Sequence, residues 1–174
     1  MTLETPLAKF VLSSIVEMEV DAIVNSANCS LLGGGGVDGA IHKAGGYLFT
    51  QECGRLGGCD YWQVKHTDGF AMPCRYVLHA VARPFDEADD PVRQLLELHR
   101  NVFRLAADLQ VKTLALPAIA AGIFKFPLEI VVEAATMALT EAKLERPELQ
   151  VTFCFIEETW MQRFWELSLE VCDA

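Results

Sequence analysis

The sequence predicts an α/β fold, a three-layer α/β/α sandwich around a central mixed sheet, built as a single domain over residues 1–174. Two observations predict it. Short runs rich in β-branched and aromatic residues alternate with longer segments of helical spacing, the pattern that stacks helices on the faces of a sheet. Hydrophobic residues make up 52% of the 174, enough for one sizeable core. No Pro/Ser-rich linker, repeat or low-complexity tract divides the chain.

Residues 10–12 and 20–24 read as strands, the second apolar enough to lie centrally in a sheet. Residues 37–44 and 47–55 read as short helices broken at Gly45-Gly46, and residues 63–67 and 75–81 as a strand pair around the Asp68-Gly69 turn. Pro91 opens a helix over 91–109 whose apolar stripe carries Val92, Leu95, Leu96, Phe103 and Ala106. A strand follows at 113–116. Pro127 starts the next helix, with Ile130, Val131, Ala134, Ala138 and Leu139 facing the core. Residues 151–156 form the last strand and 160–169 a closing helix, in which Trp160, Phe164 and Trp165 are expected to pack rather than bind.

The most informative stretch is Val20-Asp21-Ala22-Ile23-Val24-Asn25-Ser26-Ala27-Asn28, an apolar strand ending in two asparagines, followed by Leu32-Gly33-Gly34-Gly35-Gly36-Val37-Asp38-Gly39-Ala40-Ile41-His42. Glycines lack Cβ, so their backbone can approach a ligand closely. The unpaired N–H groups of the helix they lead into attract phosphate. Gly33, Gly34, Gly35 and Gly36 are therefore a candidate phosphate cradle. Asp38, in the first turn, and His42, four residues on, share one helix face. Taken alone, such a pair is a helix-start acid with a solvated neighbour, and the asparagines are turn formers. Their joint appearance around four glycines argues for a site beyond the carboxyl ends of the strands.

These residues carry a resemblance. Asn25-Ser26-Ala27-Asn28 with the run from Leu31 through Gly46 resembles the ADP-ribose-binding signature of MacroD-type macrodomains, and Leu114-Ala115-Leu116-Pro117-Ala118-Ile119-Ala120-Ala121-Gly122-Ile123-Phe124-Lys125-Phe126-Pro127 resembles that family's second phosphate loop. The resemblance implies ADP-ribose or a derivative as ligand, with the pyrophosphate between residues 33–36 and the N–H groups of Ala120, Ala121, Gly122, Ile123 and Phe124. Val37 would line the cradle and Phe124 would wall the distal ribose. It also implies that Asn28 bonds the distal ribose, that Asn25 orients the ribose or a water, and that Asp38 positions or activates that water. His42 would tune Asp38 or anchor the helix. The implied reaction removes ADP-ribose from acidic side chains or acetyl from O-acetyl-ADP-ribose, and requires no metal and no cofactor. A non-catalytic ADP-ribose-binding module is the alternative.

The chain departs from that family at the adenine end. Ser13-Ser14-Ile15 stands where a Gly-Asp-Ile element usually offers an acid to the adenine amino group, so Ser14 offers a neutral hydroxyl beside Ile15. Ile156 replaces a stacking aromatic and leaves an apolar wall. Ala120-Ala121 stands for a hydroxyl-bearing pair, and Lys125 for a common glycine. Lys125 would either place a cation near the pyrophosphate or narrow the distal pocket.

A net charge of −10 with no Lys/Arg stripe argues against nucleic acid as a partner, and no apolar run is long enough to span a membrane. Residues 1–6 show no basic cluster before an apolar stretch, so the expectation is a cytoplasmic or nuclear protein, not secreted, with a monomer favoured. Cys29, Cys53, Cys59, Cys74, Cys154 and Cys172 have no CxxC or zinc spacing and read as reduced small hydrophobes. The four histidines read as scattered surface or partly buried residues. The match Gly34-x-Gly36-x-x-Gly39 is a weak dinucleotide-fold signal, because residues 28–32 separate it from its strand.

Overall fold

The computed structural model describes residues 1–173. Seven strands form one sheet: β1 (Thr2–Glu4), β2 (Lys9–Leu12), β3 (Ala22–Ala27), β4 (Val64–Asp68), β5 (Tyr76–Val81), β6 (Thr113–Leu116) and β7 (Gln150–Phe155). Their spatial order is β1-β2-β7-β6-β3-β5-β4. The five central strands are parallel, and β1 and β4 pair antiparallel at the two edges, so the sheet is mixed as expected.

Helix α1 (Gly36–Arg55) covers one face. Helices α2 (Pro91–Asp108), α3 (Leu128–Glu145) and α4 (Glu158–Asp173) cover the other. Alternation along the strands divides the core accordingly. Ala22 and Val24 of β3 face the three-helix layer, whereas Ile23 and Ala27 face α1. Phe164 of α4 anchors the larger half, with its ring 4.9 Å from Phe153, 5.3 Å from Phe155 and 5.9 Å from Phe10. Phe164 packs as the sequence suggests, and half-buried Trp165 donates its indole N–H to the Glu4 carbonyl at 2.9 Å.

Besides shifts of a few residues at other ends, strands β1, β3 and β7 differ from expectation. Strand β1 is too short and mixed to show a period, and it exists because it pairs with β2 from Thr2↔Val11 to Glu4↔Lys9. Strand β3 runs on to Ala27 instead of ending before Asn25, because β5 pairs with it along its whole length. Pairing with β5 overrides the turn preference of Asn. Strand β7 ends at Phe155, which leaves Ile156 in the loop beyond it. The break at Gly45-Gly46 is present as a kink inside α1, with Gly46 at φ 80°.

Asp21 pins the start of β3 to β6. Its Oδ2 accepts from the N–H groups of Lys112 (2.7 Å) and Thr113 (3.0 Å), and these bonds hold its carboxyl below the usual range against the opposing effect of partial burial. No helix among the described residues is long and apolar enough to cross a membrane.

Candidate active site

The carboxyl ends of the parallel strands converge on a cleft with two compartments. The smaller, about 220 Å³, is lined on one side by Asn28, Gly34, Gly35, Gly36, Val37 and Asp38, and on the other by Ala120, Gly122, Ile123 and Phe124. The larger, about 450 Å³, is lined by Ser14, Ile15, Ala121 and Ile156, with Phe155 and Trp160. Both share Gly36, Val37, Pro117, Ala118 and Gly122, so they form one continuous cleft. The two loops approach across it closely, and a methyl on Gly35 would meet Ile123 Cδ1 at 3.4 Å.

The glycine run owes its shape to two close constraints. Gly33 has φ 100°, a region that residues with a Cβ rarely enter. Gly39 lies so near the loop that a methyl there would stand 2.6 Å from the Gly34 carbonyl oxygen. Gly35 is the N-cap of α1 and has no side chain to satisfy the first-turn N–H groups, which therefore remain open to a ligand at the positive end of the helix dipole. Neither compartment is lined by Lys, Arg or His. An anion there finds no side-chain cation in the lining and depends on N–H dipoles for its attraction.

The second loop differs in detail from expectation. The Ala120 N–H donates to Ser26 Oγ at 3.3 Å and the Ala121 N–H to the Ala118 carbonyl at 3.2 Å, so neither is free for phosphate. The N–H groups of Gly122, Ile123 and Phe124 have no internal acceptor among the described residues. The donor set thus shifts toward the loop tip. Lys125, exposed and at φ 56°, lines neither compartment, so its ammonium group is outside the cleft in this structure.

At the inner end of the smaller compartment, Asn25 Nδ2 donates to Asp38 Oδ1 at 2.8 Å. Asn25 is fully buried and Asp38 is 5% exposed. A methyl on Gly34 would stand 3.1 Å from Asp38 Oδ2 and 3.3 Å from Asn28 Nδ2, so these two polar atoms border the same space above the glycine. Asn28 Nδ2 also donates to the Gly33 carbonyl (3.0 Å), while its Oδ1 accepts from Ser30 Oγ (2.6 Å) and Ser30 N–H (3.1 Å). Both lone pairs of that oxygen are in use, and one amide N–H remains to donate. His42 stands behind the wall with Nε2 3.5 Å from Asp38 Oδ1 and Nδ1 2.9 Å from Thr50 Oγ1. Asn25, Gly33 and His42 therefore shape the wall from behind, and the other predicted residues line it.

Two contributors escaped the sequence reading. Trp160, expected only to pack, lines the larger compartment at 41% exposure, whereas Ile156 is 82% exposed at its rim. The start of α4 at Glu158 turns the indole toward the cleft, and so supplies the aromatic surface that position 156 lacks. Ser14 caps the short 3-10 helix Ile15–Glu17 without a side-chain capping bond, which leaves its hydroxyl unengaged. The second omission is His79, fully buried on β5, whose Nδ1 lies 3.1 Å from Asn25 Nδ2.

Burial, reinforced by the charges of His42 and His66, pushes His79 down to about 3. His99, also fully buried, donates its Nδ1–H to the Leu95 carbonyl at 2.9 Å, and burial pushes it down to about 4. Both histidines are interior, not scattered over the surface. Below the ordinary histidine value near 6.5, the unfolded chain binds protons that the folded chain refuses, so stability is full above that value and is lost as pH falls. The two together give a slope of roughly 2 kcal/mol per pH unit between about pH 6 and pH 4. Urea unfolding at pH 7 and pH 5 should show the midpoint falling, and the slope should shrink by about half in a His99→Gln variant.

A separate recess of about 310 Å³ lies between the C-terminal halves of α2 and α3. Two of its arginines are paired, Arg100 with Glu141 and Arg104 with Glu97, each at 2.7 Å. Among the described residues no group of three or more His, Cys, Asp or Glu side chains is arranged to hold a metal ion.

The fold and the cleft define a class: an α/β sandwich with an anion-receptive cleft at the carboxyl edge of a parallel sheet core, backed by a buried amide–carboxylate pair. The family model described as Macro domain matches residues 24–135, and this chain belongs to the Macro domain family. The Macro domain-containing protein in gbd 3'region of Cupriavidus necator is 45% identical over 153 residues, covering 84% of this chain and 88% of that protein. The ADP-ribose glycohydrolase MACROD2 of Xenopus laevis is 43% identical over 136 residues, 77% of this chain but 32% of that longer protein. The Trypanosoma brucei macrodomain, solved in complex with ADP-ribose, matches with a TM-score of 0.84 at 27% identity over 92% of this chain and 68% of that chain. The resemblance read from residues 25–46 and 114–127 is borne out at the level of the family.

Proposed function

We propose that the chain binds ADP-ribose and hydrolyses mono-ADP-ribose esters on acidic side chains, O-acetyl-ADP-ribose, or both. The observation that carries this reading is the 2.8 Å Asn25–Asp38 bond at the inner end of a cleft walled by two N–H-bearing loops. The named activity of the MACROD2 relative and the ADP-ribose bound to the Trypanosoma brucei macrodomain support it.

In this reading the pyrophosphate lies between the start of α1 and the N–H groups of Gly122, Ile123 and Phe124. The base occupies the larger compartment, between Val37 and Trp160 and near the Ser14 hydroxyl. The distal ribose enters the smaller compartment, where Asn28 donates its remaining amide proton and Phe124 closes the side. Asp38 orients a water and accepts its proton as the oxygen adds to the ester carbonyl. The ribose oxygen then leaves with a proton, giving a free acid and ADP-ribose hydroxyl. Asn25 holds one carboxylate oxygen of Asp38 and leaves the other facing the space above Gly34. His42, packed behind, steadies the same carboxylate.

Calorimetric titration with ADP-ribose, beside AMP and NAD, tests the binding half. The expected result is saturation at one site with ADP-ribose at least about tenfold tighter than AMP, because AMP lacks the second phosphate and the distal ribose. Release of ADP-ribose from a modified acidic peptide, or of acetate from O-acetyl-ADP-ribose, tests the chemical half. Saturable binding without turnover would assign the chain as a non-catalytic ADP-ribose-binding module. Absence of saturating heat up to millimolar ligand in a folded sample would overturn the reading altogether.

A further inference from the structure

The buried polar network behind the cleft extends past Asn25. Strands β3 and β5 pair with Asn25 directly opposite His79, so both side chains stand on the α1 face of the sheet. Asn25 Nδ2 is 2.8 Å from Asp38 Oδ1 and 3.1 Å from His79 Nδ1. One amide nitrogen with two protons serves both contacts only if His79 Nδ1 is an acceptor. The proton then resides on Nε2, which lies 3.0 Å from Thr67 Oγ1 and 3.8 Å from Cys53 Sγ. Asn25, Thr67 and His79 are all buried, and the titratable groups around the ring are Asp38, His42 and Cys53 from α1 and His66 from β4.

We infer that His79 is a positioning residue for Asp38: as the neutral Nε2–H tautomer it accepts a hydrogen bond from Asn25 and so fixes which face of that amide meets the carboxylate. Asp38 Oδ1 itself favours the amide nitrogen, and the His79 acceptor adds a second bond that only that face can make. The Asn25 Oδ1 atom is buried with no partner of its own, so rotation of the amide by half a turn would bring that oxygen against Asp38 Oδ1, acceptor against acceptor. His79 therefore widens the energy gap that holds the productive face in place. Thr67 completes the chain by accepting from Nε2–H, its hydroxyl adapting to the tautomer that the Asn25 donor sets. The inference rests on the proposed hydrolysis for its kinetic consequence, but not for the bonding pattern.

Nitrogen-15 NMR of the histidine-labelled wild-type protein reads that pattern directly. The His79 signals, assigned by their loss in His79→Phe, should show an unprotonated Nδ1 and a protonated Nε2 at pH 7, with scalar coupling from Nδ1 to the Asn25 side-chain amide. A protonated Nδ1 would overturn the inference. In single-turnover assays His79→Phe should lower the hydrolytic rate by about 10–100-fold while ADP-ribose affinity changes less than about threefold. His79→Asn places an acceptor near the Nδ1 position and should recover most of that loss, which a purely structural role would not predict. A His79→Phe rate within threefold of wild type would sink the positioning role. Failure of the wild type itself to turn over while binding ADP-ribose would instead reject the proposed hydrolysis, and the nitrogen spectrum would still decide the bonding of His79.

Discussion

Replacing Asp38 by Asn is expected to lower hydrolysis by about 10²–10⁴-fold, the range carried by a positioned general base, while ADP-ribose binding stays within about threefold of wild type. The separation of the two effects follows from geometry. Asp38 Oδ1 is held by Asn25, and Oδ2 borders the space above Gly34, so the carboxylate faces the reacting end and leaves the phosphate to backbone donors. An Asn at this position keeps the shape and an oxygen able to accept from Asn25, so the helix start remains in place. What it loses is the group that takes a proton from water. Calorimetry on the variant, paired with single-turnover hydrolysis, measures both quantities. A parallel fall in binding and turnover would assign Asp38 to holding the ligand, and unchanged turnover would remove it from the chemistry.

Gly39→Ala should weaken ADP-ribose binding by at least about 100-fold and cost about 2 kcal/mol of stability, a fall of about 4–8 °C in Tm. Helix propensity alone favours Ala over Gly by about 1 kcal/mol, so the predicted sign is the reverse of the local one. The contact decides it. The new methyl would stand 2.6 Å from the Gly34 carbonyl oxygen, which is backbone and cannot rotate aside. Relief requires the loop to lift from the helix start, and this moves the N–H groups that face the cleft. Gly54→Ala, near the end of the same helix, is the control. Its methyl would meet only Leu32 Cδ2 at 3.6 Å, an ordinary contact, and binding should be unaffected. Equal affinity for Gly39→Ala and wild type would show that the first loop does not hold the ligand.

Much of the molecule was legible before its structure. The alternation of strand and helix and the α1 break at Gly45-Gly46 both follow from residue type and spacing within an element. So did most of the cleft's lining. A glycine run that opens a helix and a loop after a buried strand both fall at the carboxyl edge of a parallel sheet, wherever the strands come to lie. Asp38 and His42 share a face because a helix repeats every 3.6 residues, a local fact that needs no partner.

The errors have one source. Asn25 reads as a strand end from its own preference, yet it lies inside β3 because β5 pairs with it. The Ala120 N–H reads as a phosphate donor, yet Ser26, 94 residues earlier, accepts it. Trp160 reads as packing until the start of α4 is placed beside β7. His79 carries no motif at all, and its role as an acceptor for Asn25, 54 residues away, depends on the register between two strands.

The sequence by itself determined the fold class, the anion-receptive loop and the carboxylate at its edge, because those properties depend on the conformational freedom of glycine, on helix periodicity and on hydrophobic alternation, all set over a few neighbouring residues. Only the tertiary structure decided which N–H groups remain free, which aromatic ring reaches the cleft and which buried histidine meets Asn25. Each of those depends on hydrogen bonds or packing between segments far apart in the chain, and it is strand register and helix placement that bring their atoms within bonding distance.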